Sequence, residues 1–250
     1  MMNAVLMMMY NTAESQLELT KKTYESILAQ DIGPIFIWLV NNGSTADTKE
    51  WLQSLPQPEG RMLHIDHYPQ NVAPTKIVNK SAAVLFALSY TQLFGVPNDV
   101  ILPPNLFSEL AKWPRGFVAA WMNEDYNNVA PCEHAVAVHE DPHTSVMLVR
   151  KWAHAALVAK DGYFLDEGYQ FYASDCDLKL RMHACGIHGI QLDIQCYHFS
   201  GASHRLAPPE ISKAITDQAD VDRAYFYSKY GFNVGSQEHV DALKDLNFRG

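Results

Sequence analysis

Unbroken apolar runs alternate with amphipathic stretches along the first hundred residues. Residues 5–9 form a continuous apolar run, as expected of a strand covered on both faces. After Tyr10-Asn11, the segment Ser15-Gln16-Leu17-Glu18 has capping-box spacing and opens a helix in which Leu17, Tyr24, Ile27 and Leu28 fall near one face. Gly33-Pro34 breaks the chain, and residues 35–40, rich in β-branched and aromatic side chains, predict a second strand. A polar turn at 41–45 leads to a short amphipathic helix at 47–55 and a third strand at 62–68. A loop at 71–74 precedes a helix at 75–88 and a fourth strand at 90–96. Strands separated by helices of this length join most simply through right-handed crossovers into a parallel sheet.

The pattern is less regular afterwards. Residues 105–112 read as a helix, 117–122 as a strand and 124–128 as a polar loop. Strands are predicted at 134–138 and 145–149, a helix at 152–158, a helix at 175–184 ended by Gly186, and a strand at 189–197. Beyond Pro208-Pro209 the chain reads as helical, with Gly231 as a stop and Ser236 as the cap of a last helix. No repeat, low-complexity tract or long linker interrupts it.

Composition narrows the chemistry. A chain of 250 residues, 48% hydrophobic and 19% charged, has material for a sizeable α/β core. The net charge of -9 disfavours an extended nucleic-acid surface, which needs clustered Lys and Arg. In so acidic a protein, a diphosphate ligand needs local neutralisation by a metal ion or helix N-termini. Cys132, Cys176, Cys185 and Cys196 show no framework spacing. Cys185 with His188, or Cys196 with His198, gives a zinc reading, but without a CxxC pair reduced, mostly buried thiols are the expectation. The apolar start lacks a basic flank and a cleavage site and is far short of the ~20 residues of a membrane span. It reads as the first core strand of a cytoplasmic protein.

Four segments carry chemistry, in this order: the strand ending in Tyr10-Asn11; Asn41-Asn42-Gly43-Ser44-Thr45-Ala46-Asp47; Pro97-Asn98-Asp99-Val100; and Gly162-Tyr163-Phe164-Leu165-Asp166-Glu167 followed by Ser174-Asp175-Cys176-Asp177-Leu178-Lys179-Leu180-Arg181. Their order and spacing resemble the family 2 glycosyltransferases over roughly residues 3–205. The resemblance implies an α/β, Rossmann-like GT-A fold with a mainly parallel central sheet flanked by helices. It implies a transferase domain over 1–205, with a nucleotide-sugar-binding half at about 1–103 and an acceptor half at 104–205. A helical C-terminal extension, 206–250, would pack on it.

Asp99 falls where a strand ends at the carboxyl edge of such a sheet, the place where these sheets bind ligands. A hard divalent cation held by carboxylate oxygen can neutralise a leaving diphosphate. The resemblance places Asp99 in the D-x-D metal motif, with Pro97 in place of the first acid, and implies Mn2+ or Mg2+. The local alternative for Asp99 is a turn or helix-capping residue before Pro103-Pro104. The resemblance also implies that Tyr10, Asn11, Asn41, Asn42 and Asn98 line the donor nucleotide, UDP or a related diphosphate, although Asn and Gly in these segments also simply shape turns. Lys76 would pair with phosphate, or stand solvated. Asp175 aligns with the family's catalytic base, with Ser174 in place of the usual Glu; its local alternative is a helix cap. Asp177 is expected to brace that helix. His198, and less directly His204, match a family His that completes the metal site.

The implied reaction is inverting, metal-dependent sugar transfer to a hydroxyl on a saccharide, protein or modified nucleobase. Trp121, Asn123, Glu124 and Asp125 are candidates for acceptor contact, and residues 224–231 look like the ending of phage and bacterial glycosyltransferases. A catalytically silent nucleotide-sugar-binding module, favoured by Pro97 and Ser174, is the competing reading. A nucleotidyltransferase would want a Gly-rich basic loop after residue 9, where the chain has neither Gly nor Arg.

Overall fold

The computed structural model describes residues 2–123, 132, 135–139 and 146–247; the polar loop at 124–128, with Glu124 and Asp125, lies outside them. Strands β1 (Asn3–Met9), β2 (Ile35–Asn42), β3 (Met62–Tyr68) and β4 (Gln92–Pro97) pair in parallel in the order β3-β2-β1-β4. Both faces of β1 are apolar because both are covered. Val5, Met7 and Met9 pack with Tyr24 and Ile27 of α1 (Glu14–Leu28) and Leu52 of α2 (Ala46–Ser54). Ala4 and Leu6 pack with Ile77, Leu85 and Phe86 of α3 (Pro74–Ala87).

Beyond β4 the pairing becomes mixed. β8 (Met147–Arg150) lies antiparallel between β4 and β6 (Phe117–Asn123), and β9 (Gly189–His198) runs parallel to β6. The two-residue β5 (Val100–Ile101) and the short β7 (Ala137–His139) each pair antiparallel with β9. The result is the expected α/β sheet, mainly parallel and flanked by helices, with nine strands among the described residues. α4 (Leu106–Lys112) covers one face; α5 (Lys151–Asp161) and α6 (Ser174–Ala184) cover the other. β5 has no sequence signal, because two residues carry no periodicity.

The start of α1 departs from expectation. Ser15 and Glu18 are exposed and form no capping box. The helix begins at Glu14, and the buried Gln16 reaches back instead, its Oε1 accepting from Ala13 N at 3.1 Å. Asn11 N donates to Ser44 Oγ at 2.9 Å, which brings the chain into the helix at that point.

At the C-terminal end, α8 (Pro209–Tyr230) stops at Gly231 (φ 79), and Ser236 Oγ accepts from His239 N at 3.3 Å to cap α9 (Gln237–Asn247). Phe226 of α8 closes a third, small core with Tyr169, Ala173 and Leu180. All four cysteines are free thiols, but only Cys196 is fully buried. Among the described residues no helix is long and apolar enough to cross a membrane.

Candidate active site

The strand order reverses direction between β1 and β4, so their carboxyl ends flank the crevice in which open α/β sheets bind ligands. Asp99 sits in the turn that follows β4. From there β5 runs back against the end of β9 with Val100 opposite His198. This two-residue ladder brings His198 Nε2 to 3.5 Å from Asp99 Oδ1, with Phe199 N donating to Asp99 O at 3.0 Å. Both side chains keep some access to solvent, at 13% for Asp99 and 21% for His198.

Asp175 reaches the same place from the far half of the chain, as the second residue of α6. The residue before that helix, Ala173, is in the left-handed region (φ 62), a conformation that costs a non-glycine residue about 1 kcal/mol. Packing of Ala173 against Tyr169 and Phe226 holds it there. Asp175, Ser174, Asn98, Asp99 and His198 form the polar lining of a cavity of about 450 Å³ whose remaining walls are apolar. A second cavity, about 240 Å³, is lined by Tyr10, Asn42, Asn71, Phe171, Tyr172 and His204, among others. The two share Met8, Asn98 and Asp99, so Asp99 stands at their junction.

A net of amides shapes the side of the smaller cavity. Asn11 is fully buried; its Oδ1 accepts from Thr20 Oγ1 at 3.0 Å and from Asn98 Nδ2 at 2.8 Å. Asn41 Oδ1 accepts from Ser44 N at 3.0 Å, closing the turn after β2. Asn42 clamps the 71–72 backbone, accepting from Val72 N and donating to Val72 O, each at 2.8 Å, and donating to Asn71 Oδ1 at 2.8 Å. Gly43 permits this approach: its φ is +78, and a Cβ there would lie 2.5 Å from Asn71 N. Asn11 and Asn41 therefore stand behind the cavity wall, while Tyr10, Asn42 and Asn98 face the cavities. Lys76, the third residue of α3, is exposed and outside both linings.

The 162–177 side is fixed by ions. Asp177, fully buried, accepts from Arg181 Nε at 2.7 Å, from Tyr230 Oη at 2.8 Å and from Lys229 Nζ. Lys229 also binds Asp166 Oδ2 at 2.7 Å. Burial opposes the charge of Lys229, but its bonds to Asp166 and Asp177 outweigh that and hold the ammonium well above its ordinary value. Burial likewise pushes the Asp166 carboxyl up, and its bonds from Lys229 and Gly168 N bring it below its ordinary value. Arg181 NH2 donates to Phe164 O at 2.7 Å, so the end of the D-x-D-L-x-L-R segment anchors the 162–167 turn.

One residue of this frame escaped the sequence reading. Asp222 of α8, fully buried, accepts from the backbone N–H groups of Gln170, Phe171 and Tyr172, the last two at 2.7 and 2.8 Å. It fixes the loop that carries Phe171 and Tyr172 to the second cavity and leads into Ala173. A signal was present: α8 buries Ile215, Ala219, Asp222 and Phe226, so an acid occupies an otherwise apolar stripe. His204 bonds Thr216 and Ser212 of the same helix. Trp121 is exposed, and Asn123 Nδ2 donates to Gln195 Oε1 at 2.8 Å; neither lines the two cavities.

A larger cleft, about 790 Å³, opens at the amino ends of the parallel strands, lined by Met2, Phe36 and Arg61 among others. Arg61 is committed there to the carbonyls of Ile27 and Gln30. The convergence of polar groups is at the opposite, carboxyl end. Among the described residues no three His, Cys, Asp or Glu side chains gather as a metal cluster.

Residues 4–112, which contain β1 to β4 and the turn that carries Asp99, match the model for Glycosyl transferase family 2. Over that segment, a little under half of its length, the chain is similar to the family 2 glycosyltransferases. Solved structures extend the likeness in fold over nearly the whole chain. S. aureus TarS 1–349 in complex with UDP aligns at 14% identity and TM-score 0.58, covering 93% of this chain and 72% of that one. The same TarS fragment in complex with UDP-GlcNAc aligns at 14% identity and TM-score 0.56, covering 98% and 79%. The mannosyltransferase PcManGT from Pyrobaculum calidifontis, in complex with GDP-Man and Mn2+, aligns at 16% identity and TM-score 0.55, covering 97% and 78%. No curated protein matches by sequence.

Proposed function

We propose that this glycosyltransferase moves a sugar from a nucleoside diphosphate to a hydroxyl acceptor, with inversion and with a divalent cation. The observation that carries the reading is the position of Asp99 at the junction of two cavities, beside His198 and facing the same space as Asp175. The nucleoside belongs in the smaller cavity, with Tyr10 and Asn42 in contact and Asn11 and Asn41 setting the wall. Asn98 stands between the nucleoside and the metal pair; Lys76 is outside this set. The complexes of TarS with UDP and of PcManGT with GDP-Man and Mn2+ support a nucleotide-sugar donor.

The residues present fit a metal ion. A carboxylate oxygen and an imidazole nitrogen, 3.5 Å apart and partly accessible, suit Mn2+ at least as well as Mg2+. Two protein ligands leave the remaining positions to diphosphate oxygens and water. When bound, the ion supplies charge neutralisation for the departing diphosphate. Asp175 takes the proton of the acceptor hydroxyl as its oxygen attacks the anomeric carbon opposite the leaving group. Asn98, bonded to Asn11 and Thr20 at 2.8 and 2.9 Å, keeps the turn that presents Asp99 in place.

The test is a thermal-shift panel of UDP- and GDP-sugars with and without Mn2+. A donor at a hundred times its Kd stabilises the fold by about 2.7 kcal/mol, and the manganese-dependent part disappears in Asp99→Ala. An equal manganese effect in the variant overturns the assignment. The second reading, a silent binding module, is favoured by Pro97 and Ser174, which replace acids; it predicts donor stabilisation with no sugar transferred or hydrolysed.

A further inference from the structure

The larger of the two cavities has an interior that the transfer chemistry does not explain. It runs from Asp99 down along β4 to Leu93, between the sheet and the layer of α3 and α6. Its polar groups, Asn98, Asp99, Ser174, Asp175 and His198, all sit at the carboxyl edge. Below them the walls are Leu6, Met8, Val78, Met147, Phe164 and Leu178, with no polar side chain among them. A donor sugar buried there would leave its hydroxyls without partners, an unfavourable exchange for water.

Gly95 makes this space. It lies in the middle of β4, between Leu6 of β1 and Met147 of β8 in register, on the same face as Leu93. Its backbone has no positive φ, so no turn geometry calls for glycine. A Cβ placed there would find only Met147 O, at 3.9 Å. Glycine inside a central strand weakens it and marks a place of close approach by another group. Here the missing side chain opens the floor of the cavity directly under the Asp99–His198 pair.

We propose that this cavity is the acceptor pocket and that the acceptor hydroxyl is borne on an apolar group, an aliphatic or aryl alcohol, inserted along β4 with its oxygen at Asp175. The assignment rests on the transferase reading above. In the step, the hydroxyl proton passes to the Asp175 carboxylate and the acceptor oxygen forms the bond to the anomeric carbon. The bond from that carbon to the diphosphate oxygen breaks, and the diphosphate leaves with the electron pair.

The probe is a series of straight-chain primary alcohols from ethanol to octanol, with glycerol as the polar control. Binding is followed by NMR of 13C-methyl methionine, since Met8 and Met147 line the cavity. Affinity is expected to rise about threefold to fourfold per methylene until the cavity is filled. Gly95→Val should weaken octanol at least tenfold, and Gly95→Ala by less. Melting temperature and UDP affinity with Mn2+ report that fold and donor side persist in each variant. With the matching nucleotide sugar, wild type should yield the octyl glycoside and not the glyceryl one. Affinity that is flat with chain length, or unmoved by both Gly95 variants, overturns the proposal and leaves the transferase reading standing. Alcohol binding in a protein that binds no donor also overturns it as an acceptor pocket, and there the transferase reading falls first.

Discussion

At the edge proposed to take the donor, Asn11, Asn41, Asn42 and Asn98 bond to one another, to hydroxyls and to backbone, with no formal charge among them. At the edge proposed to take the acceptor, Asp166, Asp177, Asp222, Arg181 and Lys229 hold the 162–177 segment with ions reaching over from α8. The difference follows from what each edge faces. Carboxylates lining the donor cleft would repel a diphosphate, so amides do the holding and negative charge is confined to Asp99. On the acceptor side the acids are matched by Lys229, Arg181 or backbone N–H groups, and Asp175 takes part in none of these pairings. α8 is consequently part of the frame of the candidate site, because the Asp222 carboxylate and the Lys229 ammonium hold the segment before α6.

The comparison is broken most severely at Asp175. Asp175→Asn should lower kcat by 10²- to 10⁴-fold, the range of a lost general base, with UDP affinity unchanged by calorimetry. A loss that falls on donor affinity would move Asp175 to the other edge. Next in size is Asp222→Ala, which takes the buried acceptor from three backbone donors and should cost about 3 kcal/mol in urea unfolding. Asp222→Asn, keeping one acceptor oxygen, should recover part of that.

Asn42→Ala probes the donor edge by the same measurement. It strands Val72 N–H and O and should cost about 2 kcal/mol, with the larger effect on UDP affinity and little on kcat. The smallest effect is electrostatic. Asp166 is held below its ordinary 3.8, so its contribution is present above about pH 4 and lost as pH falls through the lower folded value. Lys229 is held above its ordinary 10.5, so its contribution is full below that value and lost only above it. Urea midpoints should be insensitive to this network between about pH 5 and 9. Lys229→Met should lower the plateau by about 1–2 kcal/mol, discounted because the side chain is a quarter exposed, and weaken the dependence below pH 4. A donor-edge variant should shift the whole curve without changing its shape.

Much of the frame is legible in the chain. β1 to β4 and the helices between them follow from continuous apolar runs, a period of 3.6 and their breakers, and the chemistry-bearing segments fall at strand ends because polar turns must interrupt apolar runs. What periodicity misses is partnership across distance. Asp99 meets His198 through a ladder of two residues, and the commitment of Asn11 to Thr20 and Asn98 depends on two loops folding over each other. Lys76 shows the converse: its place at a helix start is readable, its side-chain direction is not. Asp222 was accessible in principle, as an acid interrupting the stripe of Ile215, Ala219 and Phe226.

The shortness of β5 constrains how this chain can diversify. The separation of Asp99 and His198 is set by which residue of β9 stands opposite Val100. A slip by one position would place Tyr197 or Phe199 there and turn the imidazole to the other face of the sheet. An inserted or deleted residue at 98–100 therefore strikes the Asp99–His198 pair directly. Extra length in the exposed turn around Gly60, with nothing within 4 Å of the Cβ position, touches no part of it.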